Sequence, residues 1–240
     1  MNSDLTFILR IIITAVIAYL LGSLNFAVIF TRKNASKDIR DMGSGNAGFT
    51  NVLRSVGVGP AVLTFIFDFL KGAIAVLIGW WIFSGVQAAD GVTLYEYTTY
   101  GRYLAGLFAV IGHMFPLFFG FKGGKGVTTT AALMAVVDYR VFLMIITTFL
   151  IIFFITKIIS LGSLACAALY GVYACISTYF FDYLPNLSQP ESFRFRYVLL
   201  SAMCAVVIGS LVIVKHKDNL RRLFKGEEKR ISPKKSKSKE

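Results

Sequence analysis

The chain has 240 residues, of which 56% are hydrophobic and only 16% are charged. A soluble domain of this length does not need so apolar a composition to build its core, so the balance favours an integral membrane protein. The net charge of +12 is the only feature that supports a nucleic acid partner, and we expect none. Basic charge in a membrane protein instead indicates cytoplasmic lysine and arginine beside an anionic leaflet.

Apolar segments predict an all-α, polytopic bundle of about seven transmembrane helices. A span needs about 20 mostly apolar residues. The predicted spans are residues 5–30, 60–83, 102–119, 127–137, 140–156, 158–181 and 196–214. The first is too long for the apolar part of a signal peptide, so we expect it to stay uncleaved. The fourth is too short to cross as a straight helix, so it is a half-span or continues into buried loop residues.

Most basic residues of the loops lie on one side of the spans, and Arg194 and Arg196 on the other side do not outweigh them. Those on the first side are Arg32, Lys33, Lys37, Arg40, Lys122, Lys125 and Lys157, followed by a basic C-terminal tail. The positive-inside rule makes that side the cytoplasm, with the N-terminus outside and the C-terminus inside. Three segments rich in glycine, basic and amide side chains, 43–57, 112–126 and 215–228, then fall at cytoplasmic helix ends. We expect them to converge on one mouth.

The first of these segments contains GSGNAG, residues 43–48, which fits the G-x-G-x-x-G pattern of dinucleotide-binding loops. That pattern requires a preceding strand and an acidic residue about twenty positions later. No strand is indicated before Gly43, and Asp68 lies inside a predicted span, so we reject a dinucleotide site. Glycines still let backbone N–H groups approach an anion. Asn51 and Arg54, one turn apart, can add an amide and a bidentate guanidinium.

The second segment reads GFKGGKGVTTT, residues 120–130. It resembles a Walker A loop but fails where Phe119 replaces the first glycine and Gly126 replaces the serine or threonine that binds magnesium. Glycines beside two lysines and a following helix still predict a phosphate-binding loop. The alternative is a flexible positive-inside turn. The residues concerned are Lys122, Gly123, Gly124, Lys125 and Gly126.

The chain has two histidines, His113 and His216, and both lie near predicted cytoplasmic helix ends. A neutral imidazole there can orient a hydroxyl, and a protonated one can meet phosphate; the alternative is an interfacial histidine satisfied by water. Asn219 follows His216 at helical spacing. Asp68 and Lys71, three residues apart in the second span, are open to two interpretations, an ion pair that fixes packing and a substrate role.

Several kinds of catalytic machinery are missing from the sequence. It has no H-x-x-x-x-D dyad, no G-x-S-x-G elbow and no H-E-x-x-H zinc pair, so neither a covalent serine nor a metal mechanism is indicated. We expect no cofactor and no metal site. The three cysteines lie in apolar segments without a pairing motif, and we expect them only to pack.

Three stretches together, GSGNAGFTNVLRSVG, GHMFPLFFGFKGGKGVTTT and KHKDNLRRLFKGEE, resemble the bacterial acyl-phosphate:glycerol-3-phosphate acyltransferase family, with FDFLKG and SLGSL in support. The resemblance implies a seven-span enzyme of phospholipid synthesis in the bacterial cytoplasmic (inner) membrane, with its active site facing the cytoplasm. The implied reaction moves a fatty acyl group from acyl phosphate to the sn-1 hydroxyl of glycerol 3-phosphate, giving lysophosphatidic acid and inorganic phosphate. Phe49 stands where the family usually has alanine.

The resemblance also implies the organisation of the chain and its partners. Residues 1–226 are expected to form one membrane acyltransferase domain, and 227–240 a basic, disordered cytoplasmic tail that touches anionic lipid. The expected partners are acyl phosphate, glycerol 3-phosphate and membrane lipids.

Roles for individual residues follow from the matched motifs. The acyl phosphate is expected on residues 123–126 with Lys125, and the glycerol phosphate on Ser44, Asn51 and Arg54, while His216 and Asn219 orient the attacking hydroxyl. The expected catalytic residues are His216, Lys125, Ser44 and Arg54. The expected substrate-binding residues are Asn46, Asn51, His113, Lys122, Gly123, Gly124, Gly126, Ser160 and Asn219. Whether His216 or the phosphate itself accepts the proton is left open.

An organic-phosphate transporter is the alternative from another class. It also needs basic glycine loops and intramembrane charge, but it favours sites near the midplane and related halves of the chain. Here the polar clusters lie at one face, and the sequence shows no internal repeat. A lipid phosphatase would share the phosphate pocket but needs a histidine or aspartate nucleophile among arginines.

Overall fold

The structure, a computed structural model, describes residues 3–87, 92–188 and 194–230. Over these ranges the chain forms ten α-helices and no strand. The helices are α1 (Ser3–Gly22), α2 (Phe26–Ala35), α3 (Phe49–Ser55), α4 (Val58–Ser84), α5 (Leu94–Met114), α6 (Val127–Val137), α7 (Tyr139–Thr156), α8 (Ile159–Ser177), α9 (Phe195–Lys215) and α10 (Lys217–Phe224). The end of the predicted tail, residues 231–240, lies outside the described part.

Six helical segments within the described ranges are long and apolar enough to cross a membrane. They are Asp4–Ala35, Val58–Ser84, Leu94–Phe119, Tyr139–Thr156, Ile159–Asn186 and Phe195–Lys215. Each contains or overlaps a predicted span, because a chain in hydrocarbon must satisfy its backbone polar groups within its own helices. The all-α membrane bundle is therefore confirmed.

The seventh predicted span is the short helix α6, with the predicted bounds Val127–Val137. Its 11 residues rise only about 16 Å, about half the thickness of the hydrocarbon. At its far end Asp138 caps α7 and accepts a hydrogen bond of 2.5 Å from Ser177. Helix α6 alone is therefore too short to cross the hydrocarbon.

The first predicted span, 5–30, is broken in the structure. Helix α1 ends at Gly22, and α2 begins at Phe26 with the Asn25 side chain accepting a hydrogen bond from the Val28 N–H at 3.1 Å. This is ordinary N-capping, and it satisfies one of the backbone donors in the first turn of α2. The break also frees the Leu24 carbonyl, which accepts a hydrogen bond from the Lys71 ammonium group at 2.6 Å.

Small residues let the central helices approach closely. A Cβ on Gly22 would collide with the Ala109 backbone, and one on Gly79 would collide with the Gly101 carbonyl, so α1 and α4 lie directly against α5. Such contacts replace the hydrophobic drive that lipid cannot provide. A core of apolar side chains from α4 to α9 fills the centre.

Helix ends that are far apart in the sequence meet at one face of the bundle. The C-terminal ends of α5, α7 and α9 lie there with the N-terminal ends of α4, α6 and α8. The Lys215 ammonium group donates a hydrogen bond to the Met114 carbonyl at 3.2 Å and fastens the ends of α9 and α5 together. The three polar segments are connected to these ends, so the fold brings them to one place.

Candidate active site

A cavity of about 700 Å³ opens at this face of the bundle. The three polar segments all contribute to its walls, as the sequence predicts. Its polar lining includes Ser44, Asn46, Asn51, Arg54, Asp68, His113, Lys125, Thr128, Ser160, His216, Asn219, Arg222, Glu228 and Lys229. Its apolar lining includes Phe49, Leu53, Phe65, Phe149, Leu150, Phe153, Phe154 and Ile159. A molecule with an anionic head and an apolar chain suits such a space.

The first wall is the loop before α3, which is held in shape by Asn51. The Asn51 amide nitrogen donates hydrogen bonds to the carbonyls of Ile39, Met42 and Asn46 at 3.1, 2.9 and 3.1 Å, and its amide oxygen accepts one from the Ser44 N–H at 3.0 Å. The Asn51 side chain is buried and fully engaged. Its role is to form the loop, and it leaves the exposed Ser44 hydroxyl at the cavity.

Arg54 lies on the same wall, one turn beyond the loop. It is exposed and lines the cavity, and its guanidinium group donates a long hydrogen bond of 3.4 Å to the Lys229 carbonyl. Helix α3 therefore presents an exposed cation to the cavity. A guanidinium group in this position is suited to bidentate contact with a phosphate or carboxylate.

The second wall is the loop between α5 and α6. Gly120 and Phe121 have φ angles of 64° and 58°, which reverse the chain, and Gly126 at φ 79° begins α6. No side chain caps α6, and Gly126, Val127 and Thr128 at its start line the cavity. A helix N-terminus with free donors is a favourable place for an anion.

Lys125 extends from this loop into the cavity. Its ammonium group donates a hydrogen bond to the Asn219 side-chain oxygen, which joins the loop to α10. Burial, with a contribution from nearby Arg222, lowers the pKa of Lys125 to about 8. The side chain is thus a partly desolvated cation, and its attraction for an anion is stronger than that of an exposed lysine.

His216 stands at the junction of α9 and α10 and is buried. Its Nδ1 lies 2.8 Å from the Val212 carbonyl. A carbonyl only accepts, so Nδ1 carries the proton and Nε2 is an acceptor. Burial lowers the pKa of His216 to about 4, which keeps the ring neutral at physiological pH. The neutral Nε2 can therefore accept a proton or a hydroxyl hydrogen.

Glu228 closes the cavity from the C-terminal side. Its carboxylate accepts hydrogen bonds from Ser160 at 2.8 Å, from the Asn219 amide at 2.7 Å and from the Arg222 guanidinium at 2.7 Å. Burial acts to raise the pKa of Glu228, but these hydrogen bonds outweigh it and the pKa is lowered. The anionic Glu228 thus fixes the donors around Lys125, and Lys125 and Glu228 share Asn219.

His113 lies at the inner end of the cavity beside two buried charges, Asp68 and Lys71. The Lys71 ammonium group lies 2.7 Å from Asp68 and 3.0 Å from Nδ1 of His113. All three side chains are buried, although Asp68 and His113 line the cavity. This cluster connects α4, α5 and the break between α1 and α2.

Comparison with known proteins gives one consistent result. The family model described as glycerol-3-phosphate acyltransferase matches residues 12–226. A curated glycerol-3-phosphate acyltransferase of Syntrophomonas wolfei is 36% identical over 91% of this chain and 96% of its own length. One from Shouchella clausii is 36% identical over 95% of this chain and 98% of its own. The chain belongs to the glycerol-3-phosphate acyltransferase family.

Solved structures support the same membership. The crystal structure of PlsY (YgiH), an integral membrane glycerol 3-phosphate acyltransferase, in its glycerol 3-phosphate form superposes with a TM-score of 0.71 at 34% identity, covering 92% of this chain and 96% of that one. Its lysophosphatidic acid form gives 0.69 at 33% identity. The sequence resemblance is thereby confirmed, and this family member is a multi-pass membrane protein.

Most of the predicted site residues of this acyltransferase line the one cavity. They are Ser44, Asn46, Asn51, Arg54, His113, Lys125, Gly126, Ser160, His216 and Asn219. Lys122 and Gly123 instead border a second, polar cleft of about 680 Å³ on the outer side of the loop, with Arg40 and Asp38. Gly124 packs against His113, where any side chain would collide with Nε2. The two lysines of this loop therefore line different cavities.

Three features of the cavity do not follow from the sequence: Glu228, the engaged amide of Asn51 and the aromatic side. Glu228 falls in the expected tail, residues 227–240, yet the structure holds it at the cavity. Its place in the third motif was the available signal. The sequence does not distinguish the phenylalanines of α7 that line the cavity, because an apolar side chain in a membrane span can equally well face lipid.

Proposed function

We propose that this family member transfers a fatty acyl group from acyl phosphate to the sn-1 hydroxyl of glycerol 3-phosphate, releasing inorganic phosphate. The observation that carries the proposal is one cavity that combines two cationic, N–H-rich loops with an aromatic wall. The solved relatives were captured with glycerol 3-phosphate and lysophosphatidic acid, an acceptor and a product of this class of reaction.

The phosphate of the acyl phosphate is assigned to the free N–H groups at the start of α6 and to the Lys125 ammonium group. Both groups face the same cavity and are cationic or dipole-positive. The negative charge that builds on the carbonyl oxygen and the departing phosphate is stabilised by donors that are already in place. The outer residues Lys122 and Gly123 support the loop and do not face this cavity.

Glycerol 3-phosphate is assigned to the wall opposite, on Ser44, Asn46 and Arg54. Asn51 contributes indirectly, since its hydrogen bonds hold the loop that carries Ser44. Arg54 supplies the charge and the fork geometry for the phosphate group. Ser160 supplies a hydroxyl from the start of α8.

The attacking hydroxyl is assigned to Nε2 of His216, with Asn219 beside it. The hydroxyl oxygen bonds to the acyl carbon, the bond from that carbon to the bridging phosphate oxygen breaks, and phosphate leaves with the electron pair. The hydroxyl proton goes to the neutral Nε2 of His216 or directly to the leaving phosphate. Both routes give lysophosphatidic acid and inorganic phosphate without a covalent enzyme intermediate.

The acyl chain is assigned to the aromatic side, between α3, α4 and α7. Phe149 and Phe153 stack with ring centroids 6.1 Å apart, and Phe49 contacts Phe65 edge-on at 5.8 Å. These side chains line the cavity and continue to the exposed apolar surface of α7. An acyl chain can therefore enter from the lipid while its anionic head stays at the polar end.

The cavity face is assigned to the cytoplasm of a bacterial inner membrane. Arg32 and Lys33 lie in the last turn of α2, and Lys157 lies between α7 and α8. The positive-inside rule assigns the side that carries these residues to the cytoplasm. Both proposed substrates are charged metabolites. The membrane domain is proposed to include Glu228, and the lysine-rich residues after 230 to contact anionic lipid.

The test uses purified full-length protein in nanodiscs. Palmitoyl phosphate or palmitoyl-coenzyme A is added with glycerol 3-phosphate, and lysophosphatidic acid and released phosphate are both quantified. We expect equal amounts of the two products from palmitoyl phosphate and none from the thioester. If folded protein forms no lysophosphatidic acid with either donor, the proposal is wrong, and uptake of glycerol 3-phosphate into proteoliposomes becomes the next measurement.

A further inference from the structure

Two buried charges beside the cavity have no part in the steps above. Asp68 and Lys71 of α4 are 2% and 4% exposed, and they lie against His113 of α5, which is 3% exposed. Charges within a membrane span are costly, so an arrangement that keeps them calls for an explanation. The geometry of their contacts provides one.

Three groups lie close to the Lys71 ammonium group. The ammonium group donates a hydrogen bond to the Leu24 carbonyl at 2.6 Å, contacts Nδ1 of His113 at 3.0 Å and forms an ion pair with the Asp68 carboxylate at 2.7 Å. Since an ammonium group cannot accept a hydrogen bond, Nδ1 of His113 must be the acceptor in this contact.

This contact selects one tautomer of His113. If Nδ1 accepts, the proton of the neutral imidazole is on Nε2. The opposite tautomer would direct Nδ1–H at the Lys71 ammonium group, which cannot accept, and the Asp68 carboxylate is 3.7 Å from Nδ1, beyond hydrogen-bonding distance. Asp68 holds Lys71 charged, and Lys71 in turn holds His113 with Nε2 as a donor.

Nε2 of His113 faces the phosphate loop. A Cβ at Gly124 would collide with it, so only a glycine fits against this nitrogen, and the Gly124 N–H bonds back to the His113 carbonyl at 3.2 Å. Over residues 3–87, 92–188 and 194–230, no hydrogen-bond acceptor for Nε2 is found. His113 lines the cavity beside the start of α6, where the uncapped helix also has free N–H groups.

We propose that the Nε2–H of His113 is a catalytic donor, which binds an oxygen of the acyl phosphate that gains negative charge during transfer. Asp68 and Lys71 are positioning residues that fix the tautomer and orientation of the ring. This inference rests on the proposed function and deepens it. In this site His113 donates through Nε2 whereas His216 accepts through Nε2, so the two histidines perform opposite tasks.

Two substitutions separate donation by Nε2 from the contact with Lys71. His113→Asn places an amide oxygen near the Nδ1 position, so it keeps an acceptor for Lys71 but has no donor at Nε2. His113→Gln reaches the Nε2 position with an amide N–H and gives up the Lys71 contact. We expect kcat of the asparagine variant to fall about 100-fold with little change in KM, the size of effect seen when one transition-state donor is removed. The glutamine variant retains activity within about tenfold of wild type.

The kinetic result overturns the inference if the asparagine variant is the more active of the two, because the Lys71 contact would then matter and the donor would not. Equal losses in both variants also overturn it. Size-exclusion profiles and thermal unfolding of both variants show whether either has simply failed to fold.

A spectroscopic arm does not depend on turnover. Full-length protein with 15N-labelled histidine, carrying a tag without histidine, gives signals from His113 and His216 only, and His113→Asn assigns them. We expect the neutral Nε2–H tautomer at His113, a shift of its Nε2 signal with a non-hydrolysable palmitoyl phosphonate, and mixed tautomers in Lys71→Met. An Nδ1–H or doubly protonated His113 contradicts the inference, even if the wild type proves inactive and the proposed function fails.

Discussion

The ammonium group of Lys125 donates a hydrogen bond to the side-chain oxygen of Asn219, which lies 94 residues further along the chain. The contact joins the loop before α6 to α10, and Glu228 accepts a hydrogen bond from the same amide at 2.7 Å. Lys125, Asn219 and Glu228 are therefore connected by hydrogen bonds across the polar end of the cavity. A phosphate group that binds Lys125 meets a side chain already held in position, which reduces the entropy cost of binding.

The pH dependence of kcat/KM is expected to report the ionisation of Lys125. Burial lowers its pKa to about 8, so the charged form that binds phosphate is lost as the pH rises through that value. We expect kcat/KM to fall on the alkaline side of a midpoint near 8. Lys125→Arg keeps its charge at all accessible pH values, so its residual activity should show no such decline. An alkaline limb that persists unchanged in the arginine variant would contradict this assignment.

The stability of the protein is expected to fall more when Asn51 is replaced by aspartate than when it is replaced by alanine. Its amide nitrogen donates to three backbone carbonyls, so Asn51→Asp places a carboxylate oxygen against those three oxygens. Asn51→Ala removes the bonds without adding repulsion. We expect thermal unfolding in detergent to show a loss of about 3 kcal/mol or more for the aspartate variant and less for alanine. Ser55→Ala serves as control, because it removes only a hydroxyl that donates a long hydrogen bond of 3.4 Å to the Asn51 amide oxygen. Equal losses in both Asn51 variants would contradict this.

Phe49 is expected to set the preferred acyl chain. Its ring lies against the Phe65 ring on the apolar side of the cavity, with the ring centroids 5.8 Å apart. The resemblance would place alanine at position 49. Phe49→Ala widens this side by most of an aromatic ring. We expect the ratio of kcat/KM for palmitoyl phosphate to that for lauroyl phosphate to change by about tenfold, the scale of discrimination by an apolar pocket. An unchanged ratio would show that the chain lies elsewhere.

Glu228 is expected to hold the C-terminal segment against the cavity. Its carboxylate accepts from Ser160, Asn219 and Arg222, whereas the neighbouring Glu227 is exposed. Glu228→Ala leaves these donors unpaired, and the segment opens more often. We expect trypsin to cleave after Lys225 at least about tenfold faster in this variant. Glu227→Ala is the matched control, and similar cleavage rates in the two variants would contradict this role.

The membrane architecture could be predicted from the sequence because hydrocarbon forces the backbone into helices. Even the short helix α6 has its predicted bounds, 127–137. The break after Gly22 was not predicted, because leucine continues the apolar run on both sides of it and only Asn25 marks a new helix start. The Asn25 cap starts a new helix within an apolar stretch that the hydropathy pattern presents as one continuous span.

The sequence predicted which segments form the site, but it did not predict the contacts of every side chain in it. Glycine and basic residues located the two loops, but the sequence did not show that Lys122 and Lys125 line different cavities. The amide of Asn51 was expected to bind substrate, and it is engaged by its own loop. Such differences depend on backbone dihedral angles and long-range partners, which residue type and spacing do not encode.

The most direct test of the central claim compares two lysine variants in the transfer assay. Lys125→Ala removes the cation in the cavity, while Lys33→Ala removes an exposed lysine at the same face of the bundle. Lysophosphatidic acid formed from palmitoyl phosphate and glycerol 3-phosphate is measured for both, with folding checked by thermal unfolding. We predict a loss of at least about 100-fold in kcat/KM for Lys125→Ala and wild-type activity for Lys33→Ala. Wild-type activity in a folded Lys125→Ala protein would contradict the assignment of this cavity as the site of acyl transfer.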